Sequence, residues 1–307
     1  MAVLDRLPRP ATLVRAPRLA AALGADLVVV SETLQETGSF KFRAAWNVVR
    51  SAPNELFVTV SSGNFGQALA RAAALAGKRA IVAMPAQSAQ VKVAAVRSWG
   101  AEVDLFDTSA TSRAERLAQL AAEHAEAYVA SPYDDPLVIA GNASLGREIA
   151  KRWPEVEIVL VPVGGGGLAS GIVTGLAERE HPATVWGAEP LLANDAARSL
   201  RSGRIERNAS EPPTIADGAR TPSLVERNWA ILRGGLAGIV EVPEEAIRKG
   251  VRLLFALANL KSEPTGALPI GALLTAPEHF RGRRVAAVVS GGNVDEAVYA
   301  GLIASND

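Results

Sequence analysis

No cysteine occurs in the 307 residues, which removes disulfides, thiolate nucleophiles and cysteine-based zinc sites together. Charge of a single sign is missing too. Thirty-two Lys and Arg stand against thirty-two Asp and Glu, leaving no net field to draw a nucleic-acid backbone or an anionic membrane surface. Long hydrophobic runs are absent: LVVV at 27–30 and IVLVPV at 158–163 fall far short of the ~20 residues that span a bilayer. The opening MAVLDRLPRP puts Asp5, Pro8 and Pro10 where a secretory signal needs an unbroken apolar stretch, so a cytoplasmic location is expected. The three histidines, His124, His181 and His279, lie outside every motif, which leaves a histidine triad or zinc site without support. Aromatic residues make up only 5% and show no interleaving with basic ones.

What remains is the composition of a globular protein, 49% hydrophobic and 21% charged, with enough chain for two lobes. Short apolar runs ending in Gly, Ser or Pro alternate with helical patterns. Strands are expected at 25–32, 56–62, 79–85, 101–106, 127–131, 157–163, 184–189, 238–242 and 284–290, with helices at 66–77, 111–125 and 136–153 among others. Because the strands are apolar nearly throughout, they suit sheets buried on both faces. Strand–helix alternation then predicts an α/β fold of doubly wound parallel sheets. In such folds ligands collect where strands end and helices begin. Four segments have that form: ETGSFKFRAAWNVV (36–49), SSGNFG (61–66), GGGGLASG (164–171) and SGGN (290–293).

Gly164, Gly165, Gly166 and Gly167 separate a buried strand from a helical pattern. Four bare residues let backbone N–H groups at a helix start converge on an anion. No Lys-Ser/Thr follows, so the run is not a Walker A loop. Three readings stay open. A phosphate loop is one. A dinucleotide loop is another, because Gly164, Gly166 and Ala169 fit G-x-G-x-x-A and Glu189 follows Gly166 by 23 residues. The third is a tight turn that permits close strand–helix packing. Lys41 carries a similar ambiguity. Thr37 or Ser39 could cap a helix beginning near it, and a helix N-terminus together with Phe40 and Phe42 disfavours the ammonium form. That promotes the neutral amine that attacks an aldehyde; the alternative is a solvated surface lysine.

ETLQETGSFKFRAA (32–45) resembles the cofactor-attachment signature of the serine/threonine dehydratases and serine racemase. These are pyridoxal-phosphate enzymes of fold type II, the tryptophan synthase β-like fold. The resemblance continues in order through SSGN, DDPLVIAG (134–141), PVGGGGLASG (162–171), AEP (188–190), ADG (216–218), SEPTGA (262–267) and SGGN. It implies two doubly wound lobes with the cofactor in the cleft, the larger formed by 1–50 with 136–307 and the smaller, substrate-closing one by 51–135. Lys41 would form a Schiff base with pyridoxal 5'-phosphate and later serve as the base for the Cα proton. Phe40 and Asn64 would contact the cofactor, Asn64 at the 3'-oxygen. Gly164–Gly167 would hold the phosphate, which favours a coenzyme monophosphate over a dinucleotide. Ser290 would face the pyridine nitrogen, where a hydroxyl makes a weaker electron sink than a carboxylate and favours expulsion of a β-substituent. Ser61, Ser62, Gly63, Asn64 and Phe65 would receive the substrate carboxylate, with Ser61 and Ser62 also read as helix caps. Ser62 matches the residue opposite the lysine in serine racemase. Glu189, Ala193 and Asp195 align with a divalent-cation site, and their hard oxygen ligands suit Mg²⁺ or Ca²⁺.

Two departures bear on the substrate. Phe65 stands where related dehydratases often carry His, either drying the pocket or simply repacking it. GNASLG (141–146) replaces a GQGT-like stretch. The activity implied is an ammonia-lyase (dehydratase) turning L-threonine, L-serine or a 3-hydroxyaspartate-type amino acid into a 2-oxo acid and ammonia. An amino-acid racemase is the alternative. A β-replacement enzyme, a threonine synthase or a non-catalytic binding protein fit less well. A homodimer that binds neither nucleic acid nor membrane is expected.

Overall fold

The structure is a computed structural model that describes residues 6–304. In chain order its elements are β1 (Thr12–Arg15), α1 (Pro17–Leu23), β2 (Asp26–Ser31), α2 (Lys41–Ser51), β3 (Leu56–Val60), α3 (Asn64–Leu75), β4 (Arg79–Pro85), α4 (Gln90–Ser98), β5 (Glu102–Phe106), α5 (Arg113–Glu123), β6 (Tyr128–Val129), α6 (Pro136–Arg152), β7 (Ile158–Pro162), α7 (Gly167–Ala177), β8 (Thr184–Pro190), α8 (Asp195–Ser202), α9 (Glu226–Gly235), β9 (Leu236–Val242), α10 (Glu244–Ala258), α11 (Pro264–Thr275), β10 (Arg284–Val289) and α12 (Glu296–Ala304). All nine expected strands form. β1 was not expected. It is a four-residue, half-exposed edge strand antiparallel to β2, too short and too wet to leave an apolar signature. Among the described residues no helix is long and apolar enough to cross a membrane.

Two compact units result. Among the described residues, one comprises 6–9, Gln35–Thr37 and Lys41–Gly141; the other comprises Pro10–Leu34, Gly38–Phe40 and 142–304. The expected boundaries placed 41–50 in the larger lobe. In the structure α2 belongs with the smaller unit, because its apolar face (Phe42, Ala45, Trp46 and Val49) joins Phe57, Phe65, Leu69 and Val138 in one buried cluster. Burying each such side chain stabilises by about 1.5–3 kcal/mol, so α2 follows its apolar face.

In the larger unit six strands lie in the order β1-β2-β10-β7-β8-β9, parallel except for β1. The two-residue period of a strand divides its side chains between two cores. Leu27, Val29, Ile158, Leu160, Val285, Ala287 and Val289 fill one face. Val28, Val30, Val159, Val161, Ala286 and Val288 fill the other. That is why these strands read as unbroken apolar runs. The smaller unit carries a four-stranded parallel sheet, β5-β4-β3-β6, built the same way.

Candidate active site

The larger unit places two of the singled-out segments side by side. β10 and β7 are parallel neighbours with Ala287 level with Leu160, so Ser290 stands level with Val163 at the carboxyl ends of the strands, beside the glycine loop. Gly164 and Gly166 adopt left-handed backbone, φ 49° and 87°. A Cβ on Gly166 would lie 2.9 Å from Asn228 Cβ and 3.0 Å from Leu224 Cδ2, so both conformation and space demand glycine there. α7 starts at Gly167, and the first N–H groups of a helix have no intrahelical acceptor. Such N–H groups suit an anion, a phosphate monoester among them.

Ser290 is 1% exposed, and its Oγ has no hydrogen-bond partner. A buried hydroxyl left so costs about 1–3 kcal/mol, which a ring nitrogen bound beside it would relieve. The Phe40 N–H donates to the Ser290 carbonyl at 2.9 Å, and Ser39 forms a bridge with Gly291. The TGSF segment thus adds a short backbone pairing to SGGN. Ser39 was one of two candidate helix caps. That expectation fails, because its Oγ is buried with no hydrogen-bond partner; its backbone is committed to Gly291 instead. The ADG segment supports the loop from behind. A Cβ on Gly164 would meet the Gly218 carbonyl at 3.2 Å, and the Gly218 N–H donates to Thr265 Oγ1 at 3.0 Å. This gives a structural role to a motif with no chemical step assigned.

The smaller unit gathers the other segments. Lys41 is the first residue of α2, and its Nζ donates to the Pro132 carbonyl at 2.8 Å. β3 and β6 are parallel with Val58 level with Val129, so Ser61 and Pro132 stand level at the carboxyl edge of this sheet. The amine therefore sits at the strand ends, where ligands are expected. Phe65 is 1% exposed within the cluster that holds α2, and its ring centre is 5.9 Å from Lys41 Nζ. The substitution is both packing and a ring face turned to the amine. The 131–136 turn is fixed locally. Ser131 Oγ accepts from Asp134 N at 2.9 Å, while Asp135 accepts from Leu137 N at 2.7 Å and from the Tyr128 hydroxyl at 2.9 Å. Burial and that carboxylate push the Tyr128 phenol up to about 12.

Of the two serines expected to cap α3, one does. Ser61 Oγ accepts from Gly66 N–H at 3.1 Å and from Gly63 N–H at 3.4 Å. The N-cap residue itself is Gly63, which has no side chain to offer, and Ser62 makes no cap. Asn64 is the first residue of α3, half-buried at the same edge.

Glu189, Ala193 and Asp195 are all buried around the start of α8. The Glu189 carboxylate accepts from Ala196 and Ala197 N–H at 3.1 and 2.9 Å. Burial and the neighbouring Asp195 hold its proton well above the usual carboxylate range. Asp195 Oδ1 accepts from Asn208 at 2.8 Å while Oδ2 has no hydrogen-bond partner, and burial pushes this acid up to about 6. Among the described residues no group of three or more His, Cys, Asp or Glu side chains is placed to hold a metal ion; here two acids, Glu189 and Asp195, stand with a backbone carbonyl.

Sequence reasoning missed Pro132, Asn142 and Asn228. Pro132 acts through a carbonyl, which every residue possesses and no motif advertises. The two asparagines donate to carbonyls of the glycine loop, yet a lone Asn in sequence reads as a turn former.

The family described as pyridoxal-phosphate dependent enzyme matches residues 4–291. An L-threo-3-hydroxyaspartate ammonia-lyase of Saccharomyces cerevisiae is 36% identical over 289 residues, 93% of this chain and 88% of that protein. A serine racemase of Homo sapiens is 36% identical over 284 residues, covering 89% of this chain and 82% of its own. Among solved structures, a T.th. threonine deaminase is 41% identical with a TM-score of 0.85, over 93% of this chain and 92% of that one. A match across almost the whole sequence, on a chain whose glycine loop and buried Ser290 suit a phosphate and a ring nitrogen, makes this chain a member of the pyridoxal-phosphate dependent enzyme family.

Proposed function

We propose that the chain is an ammonia-lyase that converts a small 3-hydroxy amino acid, of the L-threonine, L-serine or 3-hydroxyaspartate type, into a 2-oxo acid and ammonia. The observation that carries this reading is the Lys41 amine, held at the carboxyl edge of its sheet by the Pro132 carbonyl on the same edge as the start of α3. The relatives with ammonia-lyase and deaminase names support it.

Lys41 Nζ, Asn64, Phe40, the Gly164–Gly167 loop through its N–H groups other than that of Gly166, which donates to the Val163 carbonyl, and the Ser290 hydroxyl would hold pyridoxal 5'-phosphate. When bound, that group supplies an aldehyde carbon and an electron-poor ring that acidifies the Cα–H of an attached amino acid. The protein's own residues then bind, hold and move protons. The N-terminus of α3, with Ser62, Gly63, Asn64 and Phe65, receives the substrate α-carboxylate, since helix N–H groups and the helix dipole favour an anion. Ser61 stays on its Gly66 N–H and keeps that turn in shape. Lys41 Nζ accepts the Cα proton, and the Pro132 carbonyl stabilises the ammonium so formed, a charge-assisted hydrogen bond. Ser290 is a neutral partner, so negative charge at Cα is not stored; the β-hydroxyl departs as water with the proton that Lys41 took up, and the released enamine reacts with water to give the 2-oxo acid and ammonia. The Phe65 ring beside the amine excludes water from the Cα–H side. We also assign Glu189, Asp195 and the Ala193 carbonyl to a divalent cation, whose charge would offset the burial that disfavours the ionised form of both acids.

The test is the near-visible absorption of the purified protein before and after L-threonine, L-serine and L-threo-3-hydroxyaspartate, with 2-oxo acid measured in parallel. A coenzyme band that changes with one of them as 2-oxo acid accumulates is the expected result and names the substrate. A band unmoved by all three, with no 2-oxo acid, would sink the lyase assignment. Accumulation of D-serine from L-serine in the same assay would replace it with racemisation.

A further inference from the structure

The carbonyls of the glycine loop point to two residues that no step above uses. Asn228, on α9, is wholly buried, and its Nδ2 donates to the Gly165 carbonyl at 2.6 Å. Asn142, on α6, is 1% exposed, and its Nδ2 donates to the Gly167 carbonyl at 3.0 Å. Both amides lie in apolar surroundings: Trp229 and Leu232 of α9 belong to the larger unit's core, as do Leu145 and Ile149 of α6. Burying a carboxamide is unfavourable unless it is hydrogen-bonded, so the bonds to the two loop carbonyls offset part of the cost of placing these amides there.

The consequence lies in the planarity of the peptide group, which ties each C=O direction to that of the next N–H. The peptide between Gly165 and Gly166 is held at both ends. Its carbonyl is held by Asn228, and its N–H donates to the Val163 carbonyl at 2.9 Å. It can neither rotate nor turn a carbonyl toward an anion. The flanking N–H groups of Gly165 and Gly167 are thereby fixed in direction, with left-handed backbone at Gly164 and Gly166 on either side. Asn142 does the same for the first peptide of α7 and aims the Leu168 N–H. Contact with backbone keeps both clamps in place. A Cβ on Gly166 would press on Asn228 Cβ at 2.9 Å, and one on Gly171 would collide with Asn142 Cβ. Four successive glycines would otherwise give up much conformational freedom on closing around a ligand. Paying that cost in the folded chain preorganises the loop.

We propose that Asn142 and Asn228 are positioning residues for the coenzyme phosphate, holding the carbonyls of the glycine loop so that its N–H groups stay aimed at a monoester anion. This rests on the assignment of Gly164–Gly167 to that phosphate. The experiment compares the full chain with its Asn228→Leu and Asn142→Leu variants, each stripped and titrated with pyridoxal 5'-phosphate and with pyridoxal, which lacks the phosphate. The ³¹P resonance of the bound coenzyme is recorded on the loaded proteins. Each variant is expected to bind pyridoxal 5'-phosphate about tenfold more weakly, or about 1.4 kcal/mol, with pyridoxal affinity unchanged and the ³¹P resonance displaced. Equal losses for both ligands would reduce the asparagines to fold maintenance and overturn the proposal. A phosphate preference intact in both variants would overturn the clamp and leave the cradle standing. An unaltered chain that binds the two ligands equally would remove the cradle and the clamp together. Should the leucine variants fail to fold, Asn228→Ala and Asn142→Ala carry the same comparison, because the readout is a ratio of two affinities within one protein.

Discussion

The junctions β7–α7 and β3–α3 each bring a helix N-terminus to the carboxyl edge of a parallel sheet, and they are built from opposite materials. After β7 the turn is glycine-rich, with left-handed backbone at Gly164 and Gly166, and the Gly165 and Gly167 carbonyls are held by buried side chains distant in sequence. After β3 the turn is short and local. Ser61 reaches its own helix at Gly66, and the exposed N-cap Gly63 has ordinary extended backbone, φ −114°, with nothing within 4 Å of a Cβ built there. The first suits an anion that stays; the second suits one that comes and goes. A third junction, β8–α8, brings its own acceptor, since the buried Glu189 carboxyl takes the Ala196 and Ala197 N–H groups. One structural device would serve a resident anion, a visiting anion and a built-in carboxyl group according to how much of the loop is fixed from outside.

Replacing Gly166 with Ala attacks the rigid junction and should have the largest effect. Left-handed backbone and a 2.9 Å contact with Asn228 Cβ should cost about 3 kcal/mol. Denaturant unfolding measures the loss, and the purified protein should have lost its coenzyme absorbance. At the local junction, Ser61→Ala removes one cap hydrogen bond and should cost about 1 kcal/mol. Coenzyme content should stay unchanged while KM for the amino acid rises; a fall in coenzyme content instead would erase the distinction between the two loops.

The built-in junction is probed by pH. Asp195 keeps its proton up to about pH 6 in the folded chain, against an ordinary value of 3.8, so the folded form binds more protons through that window. Its contribution to stability is therefore fully present below about pH 4 and is lost as pH rises through about 6. Asp195→Asn should flatten this loss in thermal melts across the window. Added Mg²⁺ should raise the melting temperature of the unaltered chain at pH 7 and leave that of the variant unmoved. The smallest effect belongs to Gly63→Ala, within about 0.5 kcal/mol, because space and backbone both accept a methyl group. A cost equal to that at Gly166 would show that the two glycines serve the same purpose and end the comparison.

Sequence reasoning reached the strands through their composition. A strand buried on both faces must be apolar along its buried length, as β7 is throughout and β10 is after its exposed Arg284, and that survives in the residue string. β1 had no such mark, since at a sheet edge with half-exposed side chains TLVR looks like loop. Lys41 was legible through its neighbours in sequence, and the glycine loop through the absence of side chains. The partners of both were not. Pro132 lies 91 residues from Lys41, and Asn228 lies 63 residues from Gly165; one acts through its backbone and the other resembles any turn-forming amide.

By itself the sequence determined the α/β alternation, the two-faced burial of the strands and the chemistry available at each strand end. These depend on local pattern and on residue type. Tertiary structure alone decided that α2 and its lysine join the smaller unit, that Ser61 rather than Ser62 tends the start of α3, and that two distant amides hold the glycine loop. Each of those outcomes is settled by packing area or by a single hydrogen bond between residues far apart along the chain, and such energies leave no periodic trace in the order of the residues.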